Sequence, residues 1–268
     1  MDAERIAQAE AHDQPELHQL WETVFGDTPE IVQAFFDRFP PEVSGWVLRR
    51  EGKLCSAAYV IPGNWLIGPG LFRPAGYVYA VATAPEERGR GYAGRLMRHL
   101  TEMAEERELL LYTRPAEASL FPWYAETMRA EHIGRTKEIT ISEDASAPAV
   151  AVRRISPEEY GALREQALCA TTHILLSDSF LKLQEIYSDG YYASGDRICC
   201  CMRREKSLFI PEIIGHSAEH GPFVQGLLRS FGCKSAVLRV TDAAGSIPVT
   251  AYCGDALPED TQWGLFLE

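Results

Sequence analysis

The chain has 268 residues, 46% hydrophobic and 24% charged, and a formal net charge of −12. That balance fits a soluble globular protein of one large or two ordinary domains, and no 18-residue apolar run argues for a membrane span. Residues 1–150 hold 15 Lys/Arg against 23 Asp/Glu and residues 151–268 hold 11 against 15, so neither half carries the basic surplus of a nucleic-acid binder. The acidic field favours a cationic substrate such as an amine. Seven cysteines in no regular spacing argue for a reduced interior, and Met1-Asp-Ala-Glu-Arg5 lacks the basic start and apolar core of a signal peptide. The expectation is a cytoplasmic protein.

In chain order, Leu17, Leu20, Trp21, Val24 and Phe25 recur at helical spacing over Gln14–Phe25. Thr28-Pro29-Glu30 starts a second helix that stops at Pro40-Pro41. Trp46–Leu48 and Leu54–Ile61 read as strands around the polar turn Arg49–Lys53, with Asn64–Ile67 extending the hairpin. Gly76–Thr83 reads as a buried strand, followed by the turn Ala84-Pro-Glu-Glu-Arg88, then Gly89-Arg-Gly-Tyr-Ala-Gly94, then a helix from about Tyr92 to Arg107. Leu109–Thr113 is a strand. Ser119 reads as the N-cap of a short helix, and Glu131–Ile141 as one or two closing strands. Asp144–Ala149 is small, polar and proline-bearing, which places a linker there.

A strand feeding a glycine-rich turn and a helix is a phosphate-binding device. Unpaired N–H groups converge at the helix start, and the helix dipole adds roughly half a positive charge there. Two templates fit the letters. Gly89-x-Gly91-x-x-Gly94 matches the dinucleotide fingerprint, but that turn puts its first glycine directly after the strand and needs an acid about 20 positions on. Here Ala84–Arg88 intervenes and the next strand ends in Arg114-Pro115. Arg88-x-x-Gly91-x-Ala93 matches the Arg/Gln-x-x-Gly-x-Gly/Ala motif of the GCN5-related N-acetyltransferases (GNAT), and residues 1–142 resemble a whole domain of that superfamily.

The second half starts over. Val152–Ile155 reads as a strand, Ser156-Pro-Glu-Glu159 as a capped helix start and Ser177–Tyr187 as a helix. Arg197–Arg203 and Leu208–Ile214 form a hairpin pattern, Pro222–Phe231 a helix, and Ser235–Val240, Ile247–Tyr252 and Gly264–Leu267 strands. The whole chain therefore resembles the tandem subgroup related to the enhanced-intracellular-survival acetyltransferases. Tyr77–Thr83, Arg88-Gly-Arg-Gly91, Pro115–Leu120 and Trp123-Tyr124 carry that likeness. The chain departs from the pattern in having no room for a third, sterol-carrier-like domain and in showing Met128-Arg-Ala-Glu131 where Gly-Phe is frequent. The resemblance implies an α/β tandem GNAT fold, each domain a mixed, splayed sheet with helices on both faces. Residues 1–142 would be the active domain and 150–268 a degenerate copy without the CoA motif.

It also implies direct transfer of an acetyl group from acetyl-CoA to an amine. The backbone of Val81 and Ala82 would hold the pantetheine arm and thioester oxygen. The N–H groups of Arg88, Gly89, Arg90, Gly91, Tyr92 and Ala93 would hold the pyrophosphate, and Ser119 would touch the CoA arm. Tyr124 would protonate the leaving thiolate, as a phenol with an ordinary pKa near 10 is a neutral donor at pH 7. No general base stands out among Glu86, Glu87 and the terminal carboxylate of Glu268. The alternative is an acyl-CoA sensor without turnover. No metal is expected. His216-Ser-Ala-Glu-His220 has the letters of a zinc motif, but Gly215 and Gly221-Pro222 flank it closely, and Cys199-Cys-Cys201 reads as strand packing. The acceptor's identity and the oligomeric state are not written in the sequence.

Overall fold

Two units account for the chain in the computed structural model, which describes residues 4–215, 220–252, 257–258 and 261–267. Unit 1 is Met1–Trp65, Arg73–Ile133 and Thr250–Ala256; unit 2 is Leu66–Phe72, Gly134–Val249 and Leu257–Glu268.

Unit 1 runs β1 (Glu4–Gln8), α1 (Gln14–Phe25), α2 (Pro29–Arg38), α3 (Pro41–Ser44), β2 (Gly45–Arg50), β3 (Lys53–Gly68, as far as Trp65), β4 (Leu71–Thr83, from Arg73 onward), α4 (Tyr92–Glu106), β5 (Leu110–Thr113) and α5 (Phe121–Thr127). The first four strands lie side by side in chain order. β4 and β5 are parallel, and α4 makes the crossover that a parallel pair requires. Residues 250–252 close the far side, with Ala251 opposite Thr113. Asn64–Ile67 is not a separate extension, because β3 runs unbroken to Gly68. The short strand β1 is not announced by the sequence pattern.

Strand alternation decides which helix covers which face. Ala58, Val60 and Val78 point to Leu96, Met97 and Leu100 of α4 and to Tyr124 of α5. The intervening Tyr59 and Tyr79 point the other way, their rings 5.4 and 5.7 Å from Trp21 of α1 and 5.1 and 5.7 Å from Phe35 of α2. Each side chain among these that is fully buried contributes roughly 1.5–3 kcal/mol. Helices therefore sit on both faces.

Unit 2 repeats the order. It comprises β6 (His132–Ser142, from Gly134 onward), β7 (Arg153–Ile155), α6 (Pro157–Leu168), β8 (His173–Leu175), α7 (Asp178–Tyr187), β9 (Gly190–Ser194), β10 (Arg197–Arg204), β11 (Ser207–Ile214), α8 (His220–Phe231) and β12 (Ser235–Thr241). β13 (Ile247–Tyr252) comes last, its final three residues being those that join unit 1. The sheet order is β7-β9-β10-β11-β12-β6, with β11 and β12 parallel across α8. Ser156 and Ser177 cap α6 and α7 by accepting from the N–H groups of Glu159 (3.2 Å) and Phe180 (3.1 Å). Cys199 and Cys201 pack with Leu208, Ile210 and α8, and Cys200 is on the opposite face, as strand alternation requires. Gly264–Leu267, expected as a strand, is irregular. Gly264 is left-handed (φ 69°), and the flanking Trp263 and Leu265 to Leu267 are buried by packing instead of by pairing.

Candidate active site

In unit 1 the parallel pairing of β4 with β5 covers four pairs, Ala75↔Leu110 to Val78↔Thr113, and stops. Two residues later Ala80 adopts φ 47°, a left-handed conformation that costs a non-glycine residue of order 1 kcal/mol. The backbone turns there, and β4 continues past the end of β5 through Val81, Ala82 and Thr83. Val81 is half-buried against the α4–α5 core. Ala82 is buried, and its carbonyl accepts from the Ser56 hydroxyl at 2.6 Å, which fixes that peptide group. A gap between parallel strands, bordered by a kinked edge, is thus the structural centre of this unit.

The turn beyond β4 is braced from below. Ala84 N–H bonds the Cys55 carbonyl (3.0 Å), and residues 85–87 form one turn of 3-10 helix. Glu87 is buried and reaches both Lys53 and Arg90 at 3.0 Å, while the exposed Glu86 pairs with Lys53 at 2.9 Å. Both carboxylates are engaged in holding the turn. Gly89 and Gly91 each have φ 77°, which a side chain would strain, and Gly91 caps α4. Arg88 and Arg90 are exposed beside them. The Arg88 N–H makes a long bond to Pro85 O (3.4 Å). Tyr92 turns its side chain into the protein, against Leu48 and Cys55, and accepts from Arg50 at 3.3 Å, so only its backbone belongs to the turn. Ala93 is half-buried in the first helical turn.

Gly94 separates the two phosphate-loop templates. A Cβ there would meet Arg98 at 3.5 Å and Thr127 at 3.6 Å, ordinary contacts. The third glycine of a dinucleotide fingerprint exists for close packing of helix on strand, and no such squeeze is present.

Tyr124 lies in the α4–α5 core, 8% exposed, with the Trp123 ring edge-on at 4.7 Å. Burial pushes its phenol up to about 12, against a smaller opposite pull from its hydrogen bond with Thr113. The Thr113 hydroxyl donates to Val78 O at 2.9 Å. The last paired residues of β4 and β5 and the phenol therefore form one hydrogen-bonded group at the point where the strands part. Ser119 departs from the expectation of a cap. It sits in a single 3-10 turn, exposed, with its hydroxyl on Glu117 (3.2 Å), and α5 begins at Phe121. The helix starts with Pro122 at its second position, which needs no N–H there and no capping side chain.

Sequence reading missed Ala80, Thr113 and Ser56. Only Thr113 left a trace, as a hydroxyl at a strand end. Glu268 and His216–Glu219 lie outside the described residues. Among the described residues no cluster of three metal-ligating side chains occurs, and no helix is long and apolar enough to cross a membrane.

Comparison with known proteins bears on this arrangement. No curated protein matches the sequence. Solved structures do. A GCN5-related N-acetyltransferase from Kribbella flavida aligns with TM-score 0.68 and 16% identity over 94% of this chain and 71% of that one. Eis1 from Mycobacterium abscessus gives 0.64 and 16%, over 88% and 65%. A tandem GNAT protein from the clavulanic acid biosynthesis pathway gives 0.52 and 13%, over 93% and 97%. At these identities the likeness is one of fold. Residues 5–124 match the family model for the acetyltransferase (GNAT) domain, a span that holds the gap between β4 and β5, the arginine–glycine turn and Tyr124. Over residues 5–124 the chain is similar to the GNAT acetyltransferase domain, and its mixed α/β fold is the one seen in the GNAT structures.

Proposed function

We propose that unit 1 transfers an acetyl group from acetyl-CoA directly to an amine, a small molecule or a protein amine. The match of residues 5–124 to the acetyltransferase (GNAT) family model supports acyl transfer from an acyl-CoA. One observation carries the finer reading: a buried, neutral phenol hydrogen-bonded to Thr113 at the mouth of the gap between β4 and β5. In this reading the peptide groups beyond Val78 take the thioester arm, and the turn from Arg88 to Ala93 takes the pyrophosphate. The amine nitrogen attacks the thioester carbon, a C–N bond forms and the C–S bond breaks. The thiolate takes the Tyr124 proton, and the proton lost from the amine restores the phenol through solvent. Unit 2, without an arginine–glycine turn in its sequence, is read as a copy that does not bind the nucleotide end. The reaction is placed in the cytoplasm, where acetyl-CoA is made available to a reduced, cysteine-bearing chain.

The test is thiol release from acetyl-CoA with a panel of amines. Tyr124→Phe is expected to lower kcat about 10²-fold or more with little change in KM for acetyl-CoA. Because the phenol holds its proton up to about pH 12, the defect should stay constant from pH 7 to pH 10. Calorimetric titration is the companion measurement: Gly91→Glu should abolish acetyl-CoA binding in a folded protein. Turnover unchanged in Tyr124→Phe removes the acid from this tyrosine. Binding without turnover across a broad panel makes the protein an acyl-CoA sensor.

A further inference from the structure

A hydroxyl carries one proton, so the direction of each hydrogen bond around Tyr124 follows from the chemistry of its partner. The Thr113 hydroxyl lies 2.9 Å from the carbonyl of Val78, a group that only accepts, so Thr113 places its proton there. Towards the Tyr124 phenol its oxygen is then left to accept, and the phenol donates. The proton that the proposed reaction gives to a leaving thiolate therefore points at Thr113 in the resting protein. It cannot serve the thiolate and Thr113 at once.

Thr113 is held so that its hydroxyl proton is the part left free to turn. It is the last residue of β5 and pairs with Val78, the last residue of β4 in that ladder. Its carbonyl accepts from the Thr250 hydroxyl at 2.6 Å, and Thr250 is wholly buried in the same unit. Thr113 itself is buried, and branching at its Cβ restricts χ1. Tyr124 is fixed on the other side by the α4–α5 core. Rotation about the Cβ–Oγ1 bond carries the proton from Val78 O to the Tyr124 oxygen without moving a heavy atom. A hydrogen bond to a phenolate is charge-assisted and about twice as strong as one to a neutral carbonyl. The exchange therefore favours the second position once the phenol has given up its proton. The downward pull of this hydrogen bond on the phenol has the same sense, since a donor to the phenolate stabilises the charged form.

We propose that Thr113 is a positioning residue for the acid: its hydroxyl is a two-position rotor that accepts from Tyr124 at rest and donates to the Tyr124 oxygen as that group protonates the thiolate. The inference rests on the reading of Tyr124 as the acid. In the step, the O–H bond of Tyr124 breaks and an S–H bond forms on the leaving thiol. The O–H bond of Thr113 stays intact, and only its hydrogen bond moves, from Val78 O to the phenolate. The proton lost by the amine then restores the phenol through solvent, and the rotor returns to Val78. Thr113 gains and loses no proton and acts through Tyr124. A valine has nearly the same shape, but it would leave the phenolate without this donor in a buried site, where an unpaired charge is costly.

The test is a double-mutant cycle on thiol release from acetyl-CoA, in the full chain, with the most active amine of the panel. Thr113→Val should lower kcat at least tenfold and leave KM for acetyl-CoA within twofold, because the lost interaction is made only as the thiolate leaves. Thr113→Ser, which keeps the rotor, should recover kcat to within threefold of the wild type. In a Tyr124→Phe background, Thr113→Val should cost less than a further twofold, because no phenolate is there to receive the bond. An effect as large with Tyr124→Phe as without it would make Thr113 a prop for the strand ends and overturn the rotor. A KM that rises in step with the fall in kcat would do the same. If urea denaturation shows that Thr113→Val does not fold, Thr113→Cys carries the same cycle, with a similar size, only a weak donor and at least a threefold fall expected. The two readings fail separately. Turnover unchanged in Tyr124→Phe, or no turnover of any amine by the wild-type chain, removes the acid and the rotor with it. A deficient Tyr124→Phe beside a normal Thr113→Val removes the rotor alone.

Discussion

The two units build the same gap by two routes, and the difference lies in the surroundings of that gap. In each, four parallel pairs hold the strands together before they part. In each, the longer strand is irregular just beyond. Unit 1 uses a left-handed Ala80, and unit 2 places an extra residue on β11 between Phe209 and Glu212, next to Pro211. A bulge tolerates proline because the extra residue needs no ladder N–H. In unit 2 the bulge has a visible effect on side chains. It reverses the alternation, so that Glu212 faces α6 while Ile213 packs with the α8 core. Beyond the gap the units diverge. Unit 1 continues into Arg88-Gly-Arg-Gly91, held by Glu87, whereas unit 2 buries an ion pair and a tyrosine behind its gap. The shared part is backbone geometry, and the part that selects a ligand is side-chain chemistry.

Breaking the buried pair should have the largest effect on stability. Arg164 has no exposed side-chain surface and contacts Glu212, Glu165 and the Ile174 carbonyl (2.7 Å). Arg164→Met leaves Glu212 charged, buried and short of donors, a loss of about 3–5 kcal/mol. Urea denaturation should show it. Arg164→Met combined with Glu212→Leu should recover part of the loss, because no charge is then left unpaired. Acetyl-CoA affinity at 25 °C should be unchanged in both, since the pair belongs to unit 2. Affinity lost in step with stability would mean that the two gaps are coupled.

Much of this contrast is legible in the sequence. The 3–4 spacing of Leu17, Leu20 and Trp21, and Ser156-Pro157-Glu158-Glu159, announce their helices because periodicity and caps are local properties. The arginine–glycine turn is legible because positive φ favours a residue without a Cβ. Three things are not. Ala80 carries no mark of its left-handed backbone, since it is the surrounding strands that impose it. Glu131–Ile141 reads as one or two closing strands, but the pairing of β6 with β12 and of residues 250–252 with β5 are choices of partner, which alternation does not encode. Ser119 looks like a cap because serine before a short helix usually is one. Here Pro122 at the second position removes the N–H that a cap would satisfy.

The finest distinction between the two phosphate-loop templates concerns Gly94, in the first turn of α4. A dinucleotide site would need that glycine for close approach, and an acetyl-CoA site of the kind proposed would not. Its Cβ position is open to within ordinary contact distance of Arg98 and Thr127. Gly94→Ala should therefore keep acetyl-CoA affinity within twofold by calorimetry. It should also raise stability, because alanine in a helix interior is favoured over glycine by roughly 0.5–1 kcal/mol. The gain arises in the unfolded chain, where alanine has less freedom to lose, and it should show as a rise in the urea midpoint. Binding destroyed by this one methyl group, in a protein that unfolds at a higher urea concentration, would mean that the pyrophosphate approaches α4 at its third residue as well as at the turn. The arginine–glycine motif would then have to be redrawn to include Gly94, and the Gly91→Glu variant would no longer isolate the turn from the helix.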